Sequence, residues 1–109
     1  MYIIIVGCGR VGYPLVRALL GLGHEVLVVE RDSRRCQRIV EELGSVGQVG
    51  DGTEPAVLKS AGAGRAGMLI ATLGRDEDNL AACQIAKHLF RVNKTVAVVN
   101  NPQSDALFK

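Results

Sequence analysis

The sequence predicts an α/β fold: a parallel sheet of at least five strands with helices on both faces, a three-layer sandwich. Three observations predict it. Five short apolar runs alternate with segments whose apolar residues recur at helical spacing. The runs are rich in Val, Ile and Leu with few polar interruptions, as strands covered on both faces of a parallel sheet are. The 13 glycines fall mainly where a run gives way to a helical segment or where a helical segment ends. At 109 residues and 48% hydrophobic content the chain suffices for one compact domain, residues 1–109, with no linker or repeat to divide it.

The first strand is "YIIIV", residues 2–6. A helix follows over 10–20, where Val11, Leu15, Ala18 and Leu19 share a face, Pro14 sits in the first turn where its missing N–H costs least, and Gly21 and Gly23 end the pattern. "EVLVVE", 25–30, is the second strand. Asp32 caps a helix running to Leu43, with Gly44 as its stop. Residues 46–49 form a short third strand. Thr53, Glu54 and Pro55 read as a cap, an acidic first-turn residue and a helix-opening proline for a helix to about residue 61. "GMLIAT", 67–72, is the fourth strand. A helix over 76–90 carries acids at its start and Lys87, His88 and Arg91 at its end, the polarity its dipole favours. "KTVAVVN", 94–100, is the fifth strand, and Pro102 begins a last helix to residue 108.

A net charge of +2, with basic and acidic residues interleaved, excludes a nucleic-acid surface; the locally basic "RDSRRCQR" reads as a solvated helix face. "MYIII" is too short for a membrane span and lacks the basic lead-in of a signal peptide, so a cytoplasmic chain without direct membrane insertion is expected. Cys8, Cys36 and Cys83 are too scattered for a disulfide framework or a metal site and read as reduced, partly buried residues.

The junction after the first strand, "VGCGRVG", places chemistry on this frame. Gly7 permits a tight turn, Gly9 lets the backbone approach a pyrophosphate, and Gly12 lets the helix pack on the sheet while its free N–H groups face the anion. The second strand ends in Glu30, 18 residues beyond Gly12, where an acid accepts hydrogen bonds from an adenosine ribose. The combination predicts a Rossmann-like dinucleotide site. NADP is disfavoured, because Glu30 would repel a 2′-phosphate; Arg31 and Arg34 soften that argument without removing it.

Around this core, Cys8, Arg10 and Val11 complete the phosphate turn, with Arg10 either pairing phosphate oxygens or standing solvated in the first helical turn. Asp51, Gly52 and Thr53 follow the third strand beside the adenosine half of the ligand. Asp51 and Thr53 fit contacts to base or ribose, and equally a turn residue and an N-cap. After the fourth strand Thr72 and Gly74 are better contact candidates than Asp76 or Asp78, which read as capping and charging their helix. No proton relay is expected. His24 falls at the opposite edge of the sheet and His88 near a helix end, and no Tyr-x-x-x-Lys pair or nucleophile elbow is present. Cys8 lies beside a helix N-terminus that would favour its thiolate, yet has no neighbouring histidine to make it a nucleophile.

Across its length the chain resembles the N-terminal nucleotide-binding domain of TrkA-type potassium-uptake regulators, also called the RCK or KTN domain. The resemblance rests on GxGRVG, the acid-ended second strand, GD-x-T, AT-x-x-x-DE-x-N and the terminal VNNP. It implies a domain that is not itself an enzyme: a regulatory subunit that binds ATP, ADP, NAD or NADH and acts, as a homodimer or larger ring, on a membrane potassium channel or transporter. The expected location is the cytoplasmic face of the membrane, through that partner. It also implies phosphate contacts from Gly7, Gly9, Arg10 and Gly12, ribose contact from Glu30, adenosine contacts from Asp51 and Thr53, Thr72 facing the crevice, and a dimer contact through the last helix. The chain departs from the pattern at Val98, where an arginine is common, and it ends at Lys109, as a domain cut before a sixth strand would. Two rival readings remain open from the residues: the cofactor-binding half of an NAD-dependent dehydrogenase, and a dimerisation domain with a vestigial site.

Overall fold

Strand β1 (Tyr2–Val6) occupies the centre of the fold because it is apolar on both sides: Ile3 and Ile5 face one layer of helices, Ile4 and Val6 the other, and all four are buried. The structure, a computed structural model, describes residues 1–101; the last helix expected from residue 102, and the dimer contact assigned to it, lie outside them. β1 is flanked by β2 (Glu25–Glu30) and β4 (Met68–Ala71), with β3 (Gly47–Val49) and β5 (Lys94–Ala97) at the edges. All pairs are parallel in the order β3-β2-β1-β4-β5, so the predicted five-stranded parallel sheet is the one observed.

Helices α1 (Gly12–Gly21) and α2 (Ser33–Leu43) cover one face, packing Val16 and Ile39 against Ile3, Ile5, Val26 and Val28. Helices α3 (Pro55–Ser60) and α4 (Asp76–Leu89) cover the other, where Leu58, Ala82 and Ala86 meet Ile4, Val6 and Leu69. The chain changes face between β1 and β4, and the strand ends diverge there into a crevice at the C-terminal edge. Among the described residues no helix is long and apolar enough to cross a membrane.

β1, β2 and α2 fall where the sequence predicts them, down to the Asp32 cap, whose carboxylate accepts from Arg34 N (2.9 Å) and Arg35 N (3.2 Å), and Gly44 at φ 93. Other boundaries differ for local reasons. α1 starts at Gly12 rather than Arg10, with the Tyr13 N–H reaching back to the Gly9 carbonyl, and it runs through Gly21 until Gly23 turns left-handed at φ 87. β3 is one residue shorter. Glu54, not Thr53, is the N-cap of α3, because the Thr53 hydroxyl and N–H both turn back to Asp51. A short 3-10 turn, Ala63–Arg65, which the sequence pattern does not predict, lies between α3 and β4. α4 stops at Leu89, and Arg91, left-handed at φ 54, lets the Val92 N–H reach the Ala86 carbonyl. β5 stops at Ala97 rather than Asn100, since side chains of α4 take over the backbone groups beyond it.

Candidate nucleotide-binding site

The C-terminal edge of the sheet holds a cavity of about 480 Å³. The turn between β1 and α1 forms its floor, with Gly7, Cys8, Gly9, Arg10 and Val11 all lining it; Arg10 is exposed at its mouth. Glu30 and Arg35 close one side, and Thr72, Leu73, Gly74 and Asn100 the other. A smaller space of about 80 Å³ adjoins it through Leu73, beside the ends of β1, β2 and β3, and is lined by Arg31, Asp51, Gly52, Thr53 and Asp78. The residues singled out in the sequence are thus brought to one edge of the sheet, in two adjoining recesses. Gly12 alone lies beneath them, against the Gly7 carbonyl.

The three glycines of the turn have different reasons to be glycine. Gly7 has φ 88, and a Cβ there would lie 2.9 Å from Leu73 Cδ2. At Gly12 a Cβ would lie 2.6 Å from the Gly7 carbonyl oxygen and 2.8 Å from Thr72 Oγ1, neither of which has room to yield. Gly9 is different: among the described residues its Cβ would meet only Arg35 Nη1, at 3.9 Å, so none of them requires a glycine there. What it leaves open is the cavity. Gly12→Ala is therefore expected to destabilise the fold by about 1–3 kcal/mol, the usual cost of overpacking. Gly9→Ala should melt near the parent chain and lose nucleotide affinity. Paired melting and titration measurements check this, and a Gly9→Ala chain that binds as well as the parent would overturn it.

The start of α1 carries no side-chain cap and no acid in its first turn. Among the described residues the N–H groups of Gly9, Arg10 and Val11 donate to no protein oxygen. By contrast α2 is capped by Asp32 and α4 opens with Asp76, Glu77 and Asp78. Of the four helix starts at this edge, α3 also lacks a side-chain cap, but it is only six residues long and opens on Pro55, which has no N–H to offer; α1 is the longer one that keeps its donors and its dipole for an outside anion.

Glu30 is buried, at 5% exposure, and its carboxylate is anchored: Oε1 accepts from Cys8 N at 3.0 Å and Oε2 from Asp32 N at 2.8 Å. The acid thus clamps the glycine-rich turn to the end of β2. Each oxygen keeps a second lone pair that a ribose hydroxyl can use. Cys8 corrects an expectation. Burial, and next the Glu30 carboxylate, push its thiol up to about 11, which overrides the helix N-terminus and leaves it protonated at neutral pH.

Thr72 lines the cavity, but its hydroxyl is turned to the Val6 and Gly7 carbonyls, at 3.2 and 3.0 Å, and so shapes the turn. Asp51 accepts from the Thr53 hydroxyl (2.6 Å) and N–H (2.9 Å), which hold its carboxyl below the usual range and make it an anion beside Arg31. Asp76 differs from its expected capping role: its two oxygens accept from Asn100 N (2.6 Å) and Asn101 N (2.9 Å), securing the chain after β5.

Four residues that line or brace the site were missed as such. Arg35 was absorbed in a basic helix face, although its place in the first turn of the helix after Glu30 puts it at this edge. Leu73 separates the two recesses. Asn100 lines the cavity while its amide donates to Leu73 O, at 2.9 Å. Asn79, fully buried, accepts from Leu73 N (2.7 Å) and donates to Leu73 O and Val98 O (both 2.9 Å). Both asparagines belong to quoted motifs, DE-x-N and VNNP, whose spacing showed no role.

The profile of the TrkA-N domain matches residues 3–109. The chain is 34% identical over its whole length to a Trk system potassium uptake protein TrkA homolog of Methanothermobacter thermautotrophicus and 36% identical to one of Pyrococcus abyssi. It spans about half of each relative, 50% and 48%. Among solved structures, the GsuK channel bound to NAD superimposes with a TM-score of 0.85 at 27% identity, over 97% of this chain and 19% of the channel chain. GsuK bound to ADP gives 0.84 at the same identity, over 97% and 28%.

Proposed function

The chain belongs to the TrkA-N domain family, and from that premise we propose that it is a regulatory domain that binds an adenine nucleotide and controls potassium movement through a membrane channel or transporter. One observation carries the binding half of this reading: the open space over Gly9 lies between the uncapped start of α1 and the buried Glu30 carboxylate. A diphosphate fits the first and a ribose the second. The N–H groups of Gly9, Arg10 and Val11 would hold the phosphates, Arg10 would approach them from the mouth, and Glu30 would take the ribose hydroxyls. Arg31, Asp51, Gly52 and Thr53 would border the adenine, and Thr72 and Gly74 the far wall. The relatives' role in potassium uptake and the NAD and ADP held by GsuK support the same ligand class and the same partner.

The titratable groups lining the cavity favour binding over catalysis. Glu30 is committed to two backbone N–H groups, and burial beside that carboxylate pushes the Cys8 thiol up to about 11. A regulator of this kind works as a homodimer or ring at the cytoplasmic face of its partner, and residues 1–109 form its nucleotide-binding domain. Thermal melting with ATP, ADP, AMP, NAD, NADH and NADPH tests the proposal. A ligand present at 100 times its Kd stabilises the folded chain by about 2.7 kcal/mol. ADP and NADH are expected to raise the melting temperature and NADPH to raise it least. If none does so at millimolar concentration, the nucleotide reading falls and the vestigial dimerisation domain takes its place.

A further inference from the structure

We propose that Arg35 is a phosphate-reading residue of this site: it pairs with Glu30 in the free protein and exchanges that carboxylate for the ligand's diphosphate. The proposal rests on the nucleotide reading above and adds a specificity determinant to it.

The backbone of Arg35 is fixed, since its N–H is one of the two that Asp32 caps at the start of α2. Its side chain is not. Nη1 stands 3.7 Å from Glu30 Oε1, a charge contact beyond hydrogen-bond length, and among the described residues the guanidinium donates no hydrogen bond. The side chain is 47% exposed, so this pair is weak and costs little to break. Glu30 does not need it, because its oxygens already accept from Cys8 N and Asp32 N.

Among the described residues the same Nη1 is the only atom outside the glycine's neighbours within 4 Å of a Cβ built on Gly9, at 3.9 Å. It therefore borders the space that the second glycine of the turn leaves open. On its other side lies a recess of about 330 Å³ between α1 and α2, lined by Tyr13, Arg38, Ile39 and Glu42 as well as by Cys8, Gly9 and Arg35 itself. Arg35 lines both spaces, as Cys8 and Gly9 do, and its half-exposed side chain borders each. A diphosphate placed over Gly9 offers it oxygens with the geometry its planar fork matches, at a site where the α1 dipole already favours negative charge. When Arg35 moves to that group, Glu30 loses a cation and keeps its lone pairs for the ribose. One displacement thus serves both ends of the ligand.

Calorimetric titration of the 109-residue chain and its Arg35→Gln and Arg35→Lys variants with adenosine, AMP, ADP and NAD tests this. Arg35→Gln is expected to weaken ADP and NAD by about tenfold or more, the loss of one charge-assisted contact, and to leave adenosine within about twofold. Arg35→Lys should recover part of the ADP affinity, since it restores the charge without the fork. Melting temperatures should stay close to the parent's. Equal weakening of adenosine and ADP would mean that Arg35 acts only through Glu30 and would overturn the proposal, as would unchanged ADP affinity in Arg35→Gln. A parent chain that binds neither ADP nor NAD would overturn this proposal and the nucleotide reading together.

Discussion

Replacing Asn79 by alanine is expected to lower the stability of the fold by about 2–4 kcal/mol, the cost of removing three hydrogen bonds made by a fully buried side chain and leaving Leu73 N and Val98 O without that partner, while Leu73 O keeps the Asn100 amide. The side chain is fully buried and makes three hydrogen bonds, receiving the Leu73 N–H and donating to the Leu73 and Val98 carbonyls. Those groups belong to the turn after β4 and to the chain leaving β5, just beyond the last backbone bonds of the sheet, Thr72 N–H to Val6 O and Val98 N–H to Ala71 O. Asn79 acts as a length of artificial strand between them. Asn79→Asp sharpens the test. It keeps the size and the acceptor, but sets a carboxylate against two carbonyl oxygens, so it should be at least as damaging as alanine. Chemical denaturation of the three chains measures both. If Asn79→Ala shifts the midpoint by less than the equivalent of about 1 kcal/mol, the net worth of a single ordinary hydrogen bond, water or a relaxed loop must replace the amide. The bridging role would then be wrong.

The framework of the molecule was legible because it depends on pattern. The runs YIIIV and EVLVVE are apolar on both faces and can only be central strands of a covered sheet, and Asp32 and Gly44 bracket α2 by simple capping chemistry. What the sequence did not reveal depends on contacts between residues far apart in the chain. Thr53 is a good N-cap in isolation, but Asp51, two residues away, competes for its hydroxyl and wins. Asp76 has the right position to serve its own helix, yet Asn100 and Asn101, 24 and 25 residues later, claim its oxygens. Cys8 sits where a helix dipole should lower its pKa, and burial beside Glu30 reverses the sign. Arg35 was hidden by its surroundings in the sequence, because one functional arginine among four in RDSRRCQR has no local mark. The glycines were read correctly as a set but not individually. Only the space around each distinguishes Gly12, which packing requires, from Gly9, which none of the described residues requires.

Glu30→Ala is expected to cause the largest loss of function, and for two separable reasons. It removes the acceptor on which ribose hydroxyls depend, and it frees the Cys8 N–H and Asp32 N–H, so that the glycine-rich turn is no longer clamped to β2. The first effect should weaken binding of adenine ribonucleotides by about 10–100-fold, or roughly 1–3 kcal/mol for a hydrogen bond to a charged group. The second should cost stability of similar size, because one of the two N–H groups lies in a buried part of the turn. Titrating ADP and 2′-deoxy-ADP against both chains separates them. If Glu30 holds the 2′-hydroxyl, the parent's preference for ADP over the deoxy ligand disappears in the variant. If the preference survives and both ligands weaken equally, Glu30 is only the clamp. Glu30→Gln offers a second handle, since the amide keeps one acceptor oxygen and removes the charge. It should melt above Glu30→Ala, and it should improve NADPH relative to NADH, because the like charge that meets a 2′-phosphate is gone. A parent chain that already binds NADPH as tightly as NADH would show that the arginines around Glu30, Arg31 and Arg34 among them, outweigh its charge. The acid would then be a structural residue that happens to stand where a ribose would be read.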